Sequence, residues 1–334
     1  MSGEKLRVVV VGLGKMGLLH SGILNVLEGV EVVALCDKSA LVRRFSKRVF
    51  KRAVVTADVE KLRGLDLNAV FVTTPIQSHF PVVKSIFASK LTFNVFVEKT
   101  LAASYGEAEK LCELARARGS VNMVGYMRRF AVTFRKAKEL LAGRILGDLI
   151  SFRAYAYSSD FLSNATGTGA SAFRGGVLSD LGCHVIDLAL WFFDEFHVDL
   201  AEVGSTNAEG SDDHVFFRVS NSDGFGGEFD VSWCMADYRL PDVGFLIVGS
   251  KGVMKVNDDK VELRMKNGKS HSWFRHDLDD NVSFWLGGPE YFREDECFVK
   301  ALKEGKGAEP SFYTASKVDQ VIDEVKRRAG LDGR

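Results

Sequence analysis

The apolar run Leu6–Val11 passes directly into Gly12-Leu13-Gly14-Lys15-Met16-Gly17, after which the pattern becomes helical. A chain that turns from a buried strand into a helix through glycines at this spacing has few folds open to it. The first glycine permits the tight turn, the second lets a ligand approach the backbone, and the third allows helix and strand to pack closely. The helix N-terminus then offers N–H donors and the positive end of its dipole to phosphate groups. Alone, the hexapeptide is a weak signal; Asp37, at the end of the next apolar run, strengthens it. A carboxylate there accepts hydrogen bonds from the adenine-ribose hydroxyls of a dinucleotide and repels a 2′-phosphate. NAD(H) is therefore the preferred cofactor. NADP(H) stays open, because Lys38, Arg43 and Arg44 lie close enough to turn toward a 2′-phosphate, although they also read as a solvated helix face.

The alternation continues to about residue 126. Strands are expected at 6–11, 30–35, 53–56, 69–73, 93–97 and 121–125, with helices at 15–27, 40–49, 80–88 and 105–117. Continuous β-branched runs separated by helices indicate parallel strands buried on both faces, hence a doubly wound Rossmann sheet. After Arg128 the texture changes. A helix at 131–141, a strand at 149–157, a Ser/Gly/Thr-rich loop at 158–176 and a helix at 179–193 precede strand-like pieces at 199–205, 214–219, 228–235, 243–248, 252–256 and 260–265. Helices at about 289–304 and 314–328 close the chain. The expected architecture is α/β: a Rossmann domain over 1–126 and an α+β domain over 127–334 with a large, mostly antiparallel, open sheet. The loop at 158–176 is long enough for a functional flap.

Forty-four Lys and Arg balance forty-four Asp and Glu, so the net charge is zero. That argues against capture of nucleic acid or an anionic membrane, either of which draws on a basic excess. No stretch reaches the roughly 18 apolar residues of a membrane helix, and the N-terminus lacks a signal-peptide core. The five cysteines are scattered without a CxxC pair and read as reduced core thiols. A cytoplasmic protein is expected, in which the sequons at Asn164 and Asn281 carry no meaning.

Candidate chemistry gathers at the carboxyl ends of the expected strands, where an open α/β sheet presents ligand. Thr73-Thr74-Pro75 ends the fourth strand, and its small hydroxyls suit the nicotinamide ribose and phosphates; His79 comes next, either as a ligand or as a plain helix-start residue. Glu98-Lys99 ends the fifth, and a lysine there can stabilise negative charge on a substrate oxygen. Asp180, His184 and Asp187 share one helical face beside the apolar stripe Leu181, Val185, Leu188 and Phe192, with Gly182 leaving room for a ligand or a second backbone. An imidazole flanked by carboxylates suits proton abstraction from an alcohol. No further ligands stand at metal spacing near this face, and no metal is expected.

Taken together, Gly12–Gly17 with Asp37, Glu98-Lys99-Thr100, Gly125-Tyr126-Met127-Arg128-Arg129-Phe130 and the segment from Gly175 to Asp187 resemble the Gfo/Idh/MocA oxidoreductases, the glucose–fructose oxidoreductase and inositol dehydrogenase group. The resemblance spans nearly the whole chain. It implies hydride transfer at a hydroxyl-bearing carbon of a sugar, cyclitol or sugar nucleotide, and a homodimer or homotetramer formed through the C-terminal sheet. Lys99 matches the lysine that contacts substrate and cofactor, Asp180 and His184 match the acid–base pair, and Glu98 and Arg128 fall on the cofactor side. Arg128, Arg174 and Tyr291 are further candidates for substrate contact. Thr100 stands where the family usually carries proline, so the bond before it is expected either trans, re-aiming Lys99, or cis and held by its surroundings. The same likeness leaves two alternatives to a dehydrogenase: a non-catalytic dinucleotide-binding regulator, and glycoside cleavage through transient oxidation with retained NAD.

Overall fold

The computed structural model describes residues 5–160, 175–204 and 213–330. They fold into two compact units. One comprises Met1–Met127 with Val282–Asp319, the other Arg128–Asn281 with Gln320–Arg334. The chain therefore passes to the second unit after Met127, where the expected boundary stands after 126, returns to the first after Asn281, and passes to the second again after Asp319.

In the first unit, β1 (Leu6–Val11), β2 (Val30–Cys36), β3 (Val54–Thr56), β4 (Ala69–Val72), β5 (Val95–Glu98) and β6 (Asn122–Gly125) form one sheet in the order β3-β2-β1-β4-β5-β6. Every pairing is parallel. Val8–Val10, Ala69–Val72 and Val95–Val97 are wholly inaccessible, as strands covered on both faces must be. The connecting helices are α1 (Lys15–Val26), α2 (Ala40–Val49), α3 (His79–Ala88) and α4 (Tyr105–Ala117). This is the expected Rossmann sheet, with its strand order reversing between β1 and β4.

The second unit carries α5 (Val132–Ala142), β7 (Leu149–Tyr157), α6 (Cys183–Phe193) and the strands β8 (His197–Gly204), β9 (His214–Ser220), β10 (Gly226–Ser232), β11 (Asp242–Gly249), β12 (Gly252–Asn257), β13 (Lys260–Met265) and β14 (Ser270–Phe274). The eight strands form a sheet in the order β14-β13-β12-β11-β7-β10-β9-β8. Only the β7–β10 pair is parallel. One face is apolar, with Phe152, Phe217, Phe229, Phe245, Ile247 and Val256 buried. Phe192 and Phe193 of α6 pack their rings against Phe245. The sequence does not predict β14, because Ser-His-Ser-Trp-Phe at a solvated edge has no alternation to mark it. The helices α7 (Pro289–Glu304) and α8 (Phe312–Arg328) complete the chain. Among the described residues no helix is long and apolar enough to cross a membrane.

Candidate active site

The glycine loop is shaped by clashes that side chains would create. Gly12 adopts φ +93°, and a Cβ there would meet Thr73 and Thr74 at 2.8 Å; one at Gly17 would lie 1.8 Å from the Gly12 carbonyl oxygen. Thr73 locks the loop, its Oγ1 donating to the Gly12 carbonyl at 2.6 Å. Gly14, by contrast, faces open space. It caps α1 without a side-chain hydrogen bond, and the first turn of α1 carries no acid and starts on the exposed Lys15. Its amide dipoles and Lys15 thus carry the same sign, an arrangement that an anion relieves. Leu13 is buried and Met16 partly so.

Asp37 is fixed at the end of β2. Its Oδ2 accepts from Leu13 N at 2.6 Å and its Oδ1 from Ser39 N at 2.7 Å. Each oxygen keeps a lone pair for a further donor. Arg43 folds back on the same backbone, donating to the carbonyls of Asp37 and Lys38 at 2.8 and 2.7 Å, while Lys38 and Arg44 are exposed. The buried Thr74 Oγ1 has no hydrogen-bond partner among the described residues. An open glycine face, an acid-free helix start, an anchored carboxylate and an orphaned hydroxyl fit a dinucleotide.

His79 opens α3. It is buried, with Nδ1 at 2.8 Å from the Thr100 carbonyl and Nε2 at 2.8 Å from the Thr74 carbonyl, and burial pulls its pKa down. Pro75 is exposed before a short 3₁₀ turn, Ile76–Ser78. The Lys99–Thr100 bond is cis, the second of the two arrangements expected at Thr100. Lys99 is partly buried, and its N–H donates to Glu98 Oε2 at 3.1 Å. The other Glu98 oxygen lies 2.9 Å from His20 Nε2, and His20 Nδ1 lies 2.7 Å from Asp295 Oδ1 on α7. Both Glu98 oxygens are therefore engaged inside the protein. Burial lowers the His20 pKa, but Asp295 and then Glu98 outweigh it and hold the imidazole well above 6.5. Tyr291 sets its ring edge-on to His20 at 6.4 Å. His20, Glu294 and Asp295 also bring ligand-type atoms within 4.8 Å of one another, although both imidazole nitrogens already face carboxylates.

In the second unit, Leu178–Gly182 winds as a π turn leading into α6, where the sequence predicts a single α-helix over 179–193. The wider turn takes in an extra residue and resets the angle between Asp180 and the residues after it; such turns recur at functional sites. Asp180 is partly exposed and His184 buried. Leu181, Val185, Leu188 and Phe192 form the expected buried stripe. Two details differ. A Cβ on Gly182 would meet Leu178 at 3.0 Å and Val231 at 3.4 Å, so the missing side chain admits core residues. Asp187 takes a two-pronged ion pair from Arg129 (2.8 and 2.7 Å). Arg128 is buried and paired with Asp258 at 3.1 and 2.9 Å. Arg174 and most of the expected flap lie outside the described residues.

The structure thus brings Gly12–Gly17, Asp37, Thr73, Thr74, His79, Glu98, Lys99 and Tyr291 into the first unit, and Arg128, Asp180 and His184 into the second. Sequence reasoning missed His20 and Asp295. His20, in the helical turn after Gly17, carried a faint signal as a histidine in an apolar stretch; Asp295 carried none. The five cysteines are free thiols, and burial first, then Asp37, pushes Cys36 up to about 11.

Comparison with known proteins gives this arrangement its class. Residues 6–126 match the oxidoreductase family with an NAD-binding Rossmann fold, and residues 134–255 match the GFO/IDH/MocA C-terminal domain. The chain belongs to the GFO/IDH/MocA oxidoreductases and is an NAD-dependent enzyme of that family. An inositol 2-dehydrogenase/D-chiro-inositol 3-dehydrogenase of Lacticaseibacillus casei is 28% identical over 267 residues, covering 72% of this chain and 73% of that protein. The GenD2 protein of gentamicin A biosynthesis, solved in complex with NAD, superposes with a TM-score of 0.80 at 26% identity over 100% of this chain and 96% of its own. A levoglucosan dehydrogenase in complex with NADH shares the fold, with a TM-score of 0.86 at 18% identity over 98% and 97% of the two chains.

Proposed function

We propose that this oxidoreductase acts on a hydroxyl-bearing carbon of a cyclic polyol, sugar or sugar nucleotide. The observation that carries the reading is the placement of Lys99 at the end of β5, on the same carboxyl edge of the sheet as the glycine loop and Asp37. NAD, when bound, supplies the hydride acceptor or donor. Gly12–Gly17 and the start of α1 hold its pyrophosphate, Asp37 its adenine ribose, and Thr73 and Thr74 line the nicotinamide side. Lys99 donates a hydrogen bond to the substrate oxygen and steadies the charge that develops there. His184 takes the hydroxyl proton, with Asp180 as its acid–base partner. Arg128, Arg174 and Tyr291 are assigned to substrate contact on the family resemblance. The inositol dehydrogenase relative supports a cyclic polyol.

Assembly and setting belong to the same proposal. The outer face of the eight-stranded sheet holds a hollow of about 620 Å³ lined by Tyr155, Tyr157 and Tyr238. Stacked tyrosines on an open sheet face suit association, and this face joins copies into a homodimer or homotetramer. The free thiols support a cytoplasmic setting.

A panel of inositols, sugars and UDP-sugars, with NAD or NADP and nicotinamide absorbance as readout, tests the reading. Turnover with NAD is expected, and Lys99→Ala and His184→Ala should each lose about 100-fold or more in kcat. Full activity in both variants overturns the assigned roles.

A further inference from the structure

Lys99 can polarise a substrate oxygen only if its backbone is held in place. Its own strand ends at Glu98, and the segment beyond is gripped through side chains. Glu98 spans two anchors, with Oε2 accepting the Lys99 N–H at 3.1 Å and Oε1 lying 2.9 Å from His20 Nε2. His20 is wholly buried on α1 and is backed by the buried Asp295 of α7 at 2.7 Å. Phe96 and Phe71 pack on the imidazole with ring centroids at 5.1 and 6.1 Å, so water does not compete for these bonds. On the far side, His79 meets the Thr100 carbonyl. The Glu98–Thr100 segment is therefore held at both ends by buried histidines, and the Glu98 carboxylate is the link between the Lys99 N–H and His20.

We propose that His20 is a positioning residue that acts through Glu98 to fix the Lys99 backbone, with Asp295 orienting its ring. The inference rests on the reading of Lys99 given above. It connects the first helix after the dinucleotide loop to the substrate-polarising lysine, so the cofactor cradle and Lys99 share one rigid support. The raised pKa of His20 agrees with a ring that donates to both carboxylates.

Two substitutions separate the ring's two bonds. His20→Gln keeps a donor near the Nε2 position, toward Glu98; His20→Asn keeps one near Nδ1, toward Asp295. Hydrogen exchange of the peptide spanning residues 98–101 reads the Lys99 N–H directly and needs no substrate. It is expected to quicken about tenfold in His20→Asn and to stay within about threefold of wild type in His20→Gln. Affinity for NADH, read by fluorescence titration, should stay within about threefold in both. With any substrate from the panel, kcat should fall at least about tenfold in His20→Asn alone. A role confined to joining α1 to α7 predicts the opposite: faster exchange in those helices, none at 98–101, and more damage from His20→Gln. That result overturns the proposal. If His20→Asn does not fold, Glu98→Ala replaces it, since it leaves His20 paired with Asp295. Unchanged exchange at 98–101 in Glu98→Ala would equally refute it. Failure of the whole substrate panel, or full activity in Lys99→Ala, would count against the functional reading and leave the exchange result standing by itself.

Discussion

The carboxyl edge of the parallel sheet and the outer face of the mixed sheet each gather a histidine, carboxylates and aromatic rings. At the first, His20 lies between Glu98 and Asp295, with Phe71, Phe96 and Tyr291 around it. At the second, His214 Nε2 lies 2.7 Å from Asp230 Oδ1, Tyr157 donates to Asp230 Oδ2 at 2.8 Å, and Tyr155 and Tyr238 lie against Tyr157 with centroids at 5.0 Å. The bonds are alike in length. What separates them is burial: His20 and Asp295 have no exposed side-chain surface, whereas His214 and Asp230 are 43% and 42% exposed. Water that can replace a lost partner makes the outer cluster adaptable, as an association surface needs. Its absence makes the inner one rigid, as a reacting centre needs.

The contrast between the two regions breaks most sharply at the inner edge. Gly17→Ala places a Cβ 1.8 Å from the Gly12 carbonyl oxygen and should cost more than about 100-fold in NADH affinity, while Gly14→Ala, facing open space, folds and melts like the wild type. Wild-type NADH affinity in Gly17→Ala would mean that the loop is not built by close packing. Asp295→Ala leaves a buried imidazole without its nearer carboxylate and should destabilise the protein by about 3–5 kcal/mol in denaturant titration. The matching change outside, Asp230→Ala, should cost no more than about 1 kcal/mol, because solvent screens the pair. Similar losses at the two sites would remove the distinction drawn from burial.

The smallest effect is a pH window. The hydrogen bond that His214 donates to Asp230 raises the pKa of His214 and lowers that of Asp230. A raised histidine stabilises fully below its unfolded value and loses that contribution as pH rises through the folded one. A depressed carboxylate stabilises above its unfolded value and loses it as pH falls through the folded one. The outer pair should therefore contribute most between about pH 4 and 6.5, and Asp230→Asn should lower stability inside that window and remove the pair's decline on both sides of it. A profile unchanged by the substitution would show that the pair contributes nothing in solution.

The difference between the regions also explains what could be read from sequence. The glycine loop, Asp37 and Lys99 are local: each is a short run at a strand end, and the alternation of strand and helix places it. The partners that fix these residues are remote. Asp295 lies 275 positions from His20, Asp258 130 from Arg128 and Asp187 58 from Arg129, and nothing in spacing joins them. Asp187 reads beside His184 on a helical wheel, yet it is drawn to Arg129 because a buried carboxylate takes the guanidinium that can meet both its oxygens. The π turn at Leu178–Gly182 is hidden for a related reason, since period reasoning presumes a regular helix. The mixed sheet was legible as strands and turns, but not in its order, nor in the edge strand β14.

Direct hydride transfer, with Lys99 polarising the substrate oxygen, is the step on which the proposed function stands. It is tested most directly with the fastest substrate of the panel, deuterated at the carbinol carbon and incubated with NAD and the wild-type or Lys99→Ala enzyme. Deuterium is expected at C4 of the nicotinamide in the wild-type reaction, with the transfer slowed by about 100-fold or more in the variant. Deuterium released to solvent, or transfer at an unchanged rate in Lys99→Ala, would contradict it.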